Sequence, residues 1–284
     1  MTVDQEQAHQ DLVDAIIIEL ERKQVVLPTL PEIALRVRSA VEDENIDAIK
    51  LAKIINADAS IAGRLVQAAN SAMFAGMVQT SSVQSAIGRL GFVCVRNIAL
   101  SLSMSRLYDF KHDSKVYRAV KQVWKHSVKV AAVCQILAKH KTNLEPSEAM
   151  LAGLIHNIGA LPVITRCADH PEFENNPDLL WNIVTLVEAQ LGHWILQQWH
   201  FVDQIAEVPL NYRNLGRSHA GKADYSDVVT VANLIAQLPE PVNSLPAEWQ
   251  SLPAYQKLDL DNEQCLELLE TADEEIRNLT LVLS

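Results

Sequence analysis

The sequence predicts an all-α protein, and two observations support this fold class. Apolar residues recur every three or four positions through most of the chain, as at Leu12, Ile16 and Leu20, which is the spacing of one helix face. No run of alternating β-branched residues bounded by turn residues is present, so nothing in the chain predicts a strand. Such a chain buries its apolar stripes by packing helix on helix.

The first half of the chain predicts six helices, of which the first covers residues 4–23. Thr29 and Glu32 have the spacing of a capping box at the start of the second helix. The sixth helix is long and runs from about Phe92 to Tyr108. The other boundaries are marked by residues that favour helix ends, namely Asp47, Asp58, Ser81 with Gln84, and Gly91.

The second half predicts five helices, which cover about Ser114 to His140, Pro146 to Leu161, Trp181 to Trp199, Asp227 to Leu238 and Asp261 to Leu281. A polar segment near residue 111 and four prolines between 239 and 253 suggest boundaries there. We therefore predict an N-terminal helical subdomain over 1–110 and a second helical subdomain over 111–238. Residues 239–284 would be a proline-rich linker and a C-terminal helix that packs back on the body.

The composition is that of an ordinary soluble globular protein, with 49% hydrophobic and 21% charged residues. The net charge of −11, without a cluster of Lys and Arg, argues against nucleic acid or an anionic membrane as the partner. No uninterrupted apolar run reaches about 18 residues, so we expect no membrane span. The N-terminus lacks the basic region of a signal peptide. Four widely spaced cysteines indicate reduced thiols and a cytoplasmic location.

The stretch from Glu148 to Leu161 is apolar on almost every side except for the adjacent pair His156-Asn157. A helix that is apolar all round is buried all round, so this polar pair is expected inside the core. His126 lies on the same predicted helix face as Val123 and Val130. Two inward-facing histidines, thirty positions apart, are therefore the strongest functional lead in the sequence.

Several motifs resemble those of the HDOD domain family, over about Val25 to Ala236. The segments LPTLPEIALRV, INADASIAGRLVQAANSAMFA and SSVQSAIGRLGFVCVRNIAL resemble the N-terminal signature of that family. WKHSVKVAAVC and AMLAGLIHNIGAL resemble its HD-related half. The resemblance implies an HD-domain-like helical bundle with an N-terminal helical subdomain. It also implies a bacterial signalling or regulatory protein, similar to HD metal-dependent phosphohydrolases but with an incomplete metal site.

The resemblance places the metal-site positions of HD phosphohydrolases on His126, the pair His156-Asn157, and Asn233. Both carboxylate positions therefore carry amides. Divalent ions prefer charged oxygen ligands, and a neutral amide does not offset the charge of an ion in a buried pocket. The resemblance leaves the second histidine cluster of dinuclear HD enzymes unmatched as well, because one of its positions corresponds to Glu188 and the later histidine pair falls near Tyr212-Arg213. We expect a degenerate site without catalytic residues and without a metal cofactor.

Asn70-Ser71 and Arg96-Asn97 also match positions of the family. We interpret these pairs as helix caps and as ties between the two halves of the chain, formed by side-chain to backbone hydrogen bonds. A role in ligand binding is the alternative.

The preferred hypothesis is a non-catalytic signalling protein that binds a partner protein or a small ligand, with homo-oligomerisation left open. Because this one unit takes up the 284 residues, the input would come from another polypeptide or a ligand. The alternative is a metal-dependent HD phosphohydrolase acting on a nucleotide or other phosphoester. Its single divalent transition metal, such as Zn²⁺, would be held by His126, His156 and Glu188. Nucleotide sensing without cleavage is a third hypothesis.

Overall fold

The computed structural model describes residues 14–20, 22, 26–71, 74, 79–110, 114–239 and 242–283. Within these residues every regular element is a helix, which confirms the all-α prediction. The helix predicted over 4–23 is seen over 14–20 (α1), and most of its other positions lie outside the described residues.

The remaining α-helices of the first half and the centre are α2 Glu32–Glu42, α3 Ala48–Asn56, α4 Ala59–Ala69, α5 Val83–Met104, α6 Lys115–Lys141, α7 Pro146–Ile155, α8 Ala160–Cys167 and α9 Glu172–Asn175. They are followed by α10 Pro177–Gln198, α11 Asp203–Ala206, α12 Val208–Asn211, α13 Tyr225–Ala236, α14 Pro253–Lys257, α15 Asn262–Thr271 and α16 Asp273–Leu283.

Three helix boundaries in the first half follow the predicted capping residues. Asp47 and Asp58 accept hydrogen bonds from the first-turn amides of α3 and α4. Gly91 has a φ of 80° and breaks α5 into two segments, in agreement with its prediction as a helix end. Glycine adopts this left-handed conformation without the steric cost that a Cβ atom would impose.

Two predicted capping pairs are wrong. The helix α2 begins at Glu32 with Pro31 at the N-cap position, and no side chain caps it, so Thr29 lies too far upstream to form the capping box. At the start of α5 the reciprocal pair is Ser82 with Ser85 rather than Ser81 with Gln84. Each serine hydroxyl there reaches the other residue's backbone amide, at 3.1 and 3.3 Å, so the cap is displaced by one residue.

The helices α6 and α7 pack almost backbone to backbone. A Cβ atom added at Gly153 would lie 2.7 Å from the Sγ atom of Cys134 and 2.9 Å from the Cα atom of Ala131. Glycine therefore permits the approach of these two helices, which carry or lead into His126 and His156.

The central stretch is two helices rather than the single predicted helix. The helix α7 ends at Ile155 and α8 starts at Ala160, with the turn 156–159 between them. A Cβ atom added at Gly159 would lie 1.9 Å from the backbone oxygen of Glu188, on α10. The contact of this turn with α10 explains the break, and it places the His156-Asn157 pair at a helix junction.

The C-terminal helix predicted over about Asp261 to Leu281 is two helices, α15 and α16, and α14 lies within the stretch predicted to be a linker. The break is at Ala272, and Asp273, Glu274 and Glu275 occupy the first turn of α16, where the helix dipole favours negative charge. Arg64 on α4 donates to the backbone oxygen of Val282 at 3.0 Å. The predicted boundary near residue 111 falls at 111–113, outside the described residues, and the division into three parts stays a prediction.

Three helical spans are long and apolar enough to cross a bilayer by length and composition, in contrast to our expectation from apolar runs. They are Val83–Tyr108, Pro146–Cys167 and Pro177–Gln198. Within the fold, 56%, 89% and 50% of their most apolar windows are buried. Packing inside the protein therefore uses much of this apolar surface.

Candidate functional site

A pocket of about 310 Å³ lies where α6, the α7–α8 turn, α10, the turn after α12, and α13 meet. All five residues singled out from the sequence line it, namely His126, His156, Asn157, Glu188 and Asn233. The fold thus brings together positions that are up to 107 residues apart in the chain.

His126 is bound to an amide. Its Nε2 atom lies 2.8 Å from the Oδ1 atom of Asn233. Because the amide oxygen accepts, the Nε2 atom of His126 carries the proton in this arrangement. That nitrogen is consequently unavailable as a metal ligand while the hydrogen bond persists.

His156 is held at the end of α7 by its own backbone. Its Nδ1 atom donates to the carbonyl oxygen of Gly153 at 2.6 Å, which leaves Nε2 as an acceptor. The ring centroid lies 5.7 Å from that of His126 and 4.7 Å from that of Tyr212. The neighbouring Asn157 is anchored to α6, because its Oδ1 atom lies 2.8 Å from the hydroxyl of Ser127.

Glu188, Tyr212 and Arg213 form a compact triad. The Tyr212 hydroxyl donates to the Glu188 carboxylate at 2.7 Å and accepts from the Nε atom of Arg213, also at 2.7 Å. The Arg213 guanidinium forms an ion pair with the same carboxylate oxygen. Glu188 is 3% exposed, whereas the Arg213 side chain is 48% exposed. The pocket's carboxylate is therefore neutralised from within the protein.

The surroundings disfavour the charged form of both imidazoles, because they lower both pKa values. Burial lowers the pKa of His156 to about 3, and the proximity of His126 and Arg213 adds to this. The pKa of His126 is lowered mainly by burial, against the opposing effect of the Asn233 hydrogen bond. Burial raises the pKa of Glu188, and the adjacent Arg213 and Tyr212 oppose that shift. The pocket is thus rich in neutral polar groups.

The donor set of the pocket does not fit a divalent ion. Asn157 and Asn233 offer no negative charge, and Arg213 already neutralises Glu188. In the part of the chain that the structure describes, one group of three His, Cys, Asp or Glu side chains brings its ligand atoms within 4.8 Å of one another. That group lies outside the pocket, and it is not the set of His126, His156 and Glu188 proposed as a transition-metal site.

The group with close ligand atoms consists of His219, Asp224 and Asp227, at the start of α13. Its carboxylates are already bound to Arg217, which contacts Asp224 at 2.6 Å and Asp227 at 3.2 Å. Asp224 and Asp227 also form the capping box of α13. This cluster was not predicted from the sequence. Its ion pairs and capping hydrogen bonds anchor the loop before α13, which explains the cluster without a metal ion.

Three further pocket residues were missed in the sequence, although their spacing offered a signal. Gln122 lies four residues before His126, Gln237 four after Asn233, and Trp181 seven before Glu188. Residues spaced by four or seven share a helix face. Extending each candidate position along its own helix face would have found them.

The two halves of the chain are tied together by side chains of α5, α7 and α13. Arg96 contacts the Glu148 carboxylate at 3.0 Å, and the Tyr225 hydroxyl donates to the same carboxylate at 2.6 Å. Asn97 donates to the Ser147 hydroxyl at 3.0 Å. The Arg96-Asn97 pair therefore links the two halves, through side chains rather than backbone groups.

The Asn70-Ser71 pair closes the end of α4 instead of joining the halves. Asn70 exchanges two hydrogen bonds with the backbone of Thr80, at 2.7 and 2.8 Å, and the Ser71 hydroxyl donates to the backbone oxygen of Ala68 at 2.7 Å. The helix-cap interpretation of this pair agrees with these contacts.

Comparisons with known proteins agree with this architecture. The family model of the HDOD domain matches residues 27–214. A solved structure named "Putative metal-dependent phosphohydrolase", from Shewanella amazonensis SB2B, is 27% identical with a TM-score of 0.81, and the match covers 97% of this chain and 99% of that one. A structure named "Putative signal transduction protein", from Marinobacter aquaeolei VT8, is 22% identical with a TM-score of 0.60, covering 98% of this chain and 66% of that one.

A curated relative from Treponema pallidum is described as an uncharacterized protein. It is 22% identical over 218 residues, which cover 73% of this chain. The matched part spans 42% of the length of that relative.

Proposed function

Because this chain belongs to the HDOD domain family, we propose that it is a non-catalytic regulatory protein of bacterial signal transduction that binds a partner protein or a small ligand. The observation that carries the proposal is the chemistry of the pocket. Asn157 and Asn233 stand at the two positions where the family resemblance places metal-binding carboxylates, and the carboxylate that lines the pocket, Glu188, is paired with Arg213. A metal-activated water needs a bound ion, and this set of side chains is poorly suited to holding one.

The pocket retains properties of a small-ligand site. Its volume, about 310 Å³, lies at the lower end of the range for such sites. The aromatic rings of Trp181 and Tyr212 and several amide groups line the pocket, so a ligand could stack on a ring and form hydrogen bonds with the amides. The signal-transduction name of the Marinobacter aquaeolei relative agrees with a regulatory role.

We further propose a cytoplasmic protein that acts without nucleic acid or membrane, in line with its net charge of −11. Assembly of the chain into a homo-oligomer is compatible with this function. The network of Arg96, Glu148 and Tyr225 supports a regulatory role as well, because it connects the N-terminal half to α13, the helix that carries Asn233.

The proposal is tested by elemental analysis of the purified protein and by hydrolysis assays with aryl phosphates and cyclic dinucleotides in added Mn²⁺. We expect substoichiometric metal and no turnover above that of the His156→Ala variant. The His126→Ala variant, with folding checked by circular dichroism, serves as a second reference. Turnover by the wild-type protein that disappears in both variants would overturn the proposal.

A metal-dependent phosphohydrolase with an altered ligand set is the second candidate, and one observation favours it. His156 donates its Nδ1 proton to a backbone carbonyl, as metal-ligating histidines commonly do, and its other ring nitrogen is free to accept. The name of the Shewanella amazonensis relative points the same way. A metal content near one ion per chain, lost in His126→Ala, would favour this candidate.

A further inference from the structure

We infer that the Arg213 guanidinium is the resident cation of the pocket, which it keeps closed to divalent ions by occupying the Glu188 carboxylate. The inference rests on the proposed function, and it supplies the reason why the pocket rejects a metal. The amides Asn157 and Asn233 are poor ligands for a divalent ion, but the pocket still contains a buried carboxylate, Glu188, together with two histidines. Arg213 accounts for that remaining carboxylate.

Several contacts hold Arg213 in place as the counter-ion of Glu188. Glu188 is almost fully buried, and its carboxylate receives both the Tyr212 hydroxyl and the guanidinium. The Nε atom of Arg213 also donates to the Tyr212 hydroxyl at 2.7 Å, and the guanidinium carbon lies 5.4 Å from the centre of the Tyr212 ring. Three different interactions thus fix one cation over one carboxylate.

Glu188, Tyr212 and Arg213 lie at or near positions where the resemblance implies a second metal-binding cluster. The family resemblance places one position of the second histidine cluster of dinuclear HD enzymes at Glu188 and the later histidine pair near Tyr212-Arg213. In the structure these three residues, although up to 25 positions apart in the chain, contact one another. Glu188, Tyr212 and Arg213 therefore form hydrogen bonds and an ion pair with one another at positions where the resemblance implies metal ligands.

A buried carboxylate without a counter-ion is strongly unfavourable. Removal of Arg213 is therefore expected to make the Glu188 carboxylate bind a cation from the solution. Arg213→Ala should lose several degrees of thermal stability. Methylguanidinium, which restores the planar fork, should return part of this loss at concentrations that do not denature the wild-type protein. Zn²⁺ should bind Arg213→Ala at least about tenfold more tightly than the wild type, by titration calorimetry.

The decisive comparison is the double variant Arg213→Ala/Glu188→Gln. It lacks the buried charge, so we expect it to be more stable than Arg213→Ala alone and to respond to neither methylguanidinium nor Zn²⁺. A purely structural role of Arg213 would instead give additive losses. Arg277→Ala, which removes an exposed arginine paired with Asp273, is the matched control and should bind Zn²⁺ as the wild type does.

Arg213→Lys keeps the positive charge, and it provides a second variant if Arg213→Ala does not fold. It should exclude Zn²⁺ as the wild type does, and Zn²⁺ binding by Arg213→Lys at the strength predicted for Arg213→Ala would overturn the inference. Additive stability losses, or equal Zn²⁺ affinity of Arg213→Ala and wild type, would also overturn it. These results would leave the proposed function intact, whereas metal-dependent turnover by the wild type would defeat the proposed function itself.

Discussion

The Nε2 atom of His126 lies 2.8 Å from the Oδ1 atom of Asn233, so the histidine of α6 is bonded to an amide of α13. The two residues are 107 positions apart, and their contact closes one side of the pocket. We expect the identity of this amide, and of its counterpart Asn157, to affect how well the pocket binds a divalent ion.

The double variant Asn157→Asp/Asn233→Asp should gain affinity for Mn²⁺. Two carboxylates supply the charged oxygen ligands that the wild-type pocket lacks, and we expect an increase of at least about tenfold by titration calorimetry. Asn45→Asp/Asn214→Asp adds the same charge at exposed positions and should not change the affinity. Equal Mn²⁺ affinities of the two double variants would show that the amides are not what excludes the ion.

His156 should make the protein less stable in acid. Its pKa is lowered to about 3 in the folded state from an ordinary value of 6.5, so between these values the unfolded chain binds one more proton. Above pH 6.5 His156 is neutral in both states and causes no loss of stability. Below pH 6.5 the free energy of unfolding falls by up to about 1.4 kcal/mol per pH unit as the pH decreases toward 3.

Urea denaturation across this pH range provides the measurement. The His156→Gln variant, which cannot take up a proton at this position, should show a shallower decline than the wild type. His140→Gln, at an exposed position on α6, is the control and should retain the wild-type slope. A decline that is unchanged in His156→Gln would contradict the prediction.

Gly159→Ala should destabilise the fold. The new Cβ atom would lie 1.9 Å from the Glu188 backbone oxygen and 2.5 Å from the Gly192 backbone nitrogen, so the α7–α8 turn and α10 would have to separate. We expect a loss of about 1–3 kcal/mol in the free energy of unfolding. Gly63→Ala, where a Cβ atom meets nothing within 4 Å, should instead stabilise α4 by about 0.5–1 kcal/mol. Similar effects of the two variants would argue against the close approach at Gly159.

Tyr225→Phe should weaken the connection between the two halves of the chain. Its hydroxyl donates to the Glu148 carboxylate at 2.6 Å, and losing a hydrogen bond to a partly exposed charged group should cost about 1–2 kcal/mol. Tyr108→Phe is the control, because the Tyr108 hydroxyl is buried without a hydrogen-bond partner among the described residues. That variant should be neutral within about 0.5 kcal/mol, and an equal loss in both variants would contradict the prediction.

Helix positions and their buried faces were largely predictable because helix periodicity is local. The stripe that includes Val123, His126 and Val130 follows from spacings of three and four residues, and Asp47 and Asp58 cap helices through a residue three positions later. The break after Ile155 was not predictable from such spacings. It depends on α10, whose backbone meets Gly159 across a distance of about thirty residues in the chain.

By itself, the sequence determined that the chain is helical, that His126 and His156 face inward, and that amides stand where charged metal ligands are expected. Only the tertiary structure decided which groups meet: His126 with Asn233, and Glu188 with Tyr212 and Arg213. The physical reason is range. Backbone hydrogen bonds and side-chain spacing act within a few residues, whereas the hydrogen bonds and charge pairing of the pocket require helices that are distant in the chain to be packed together.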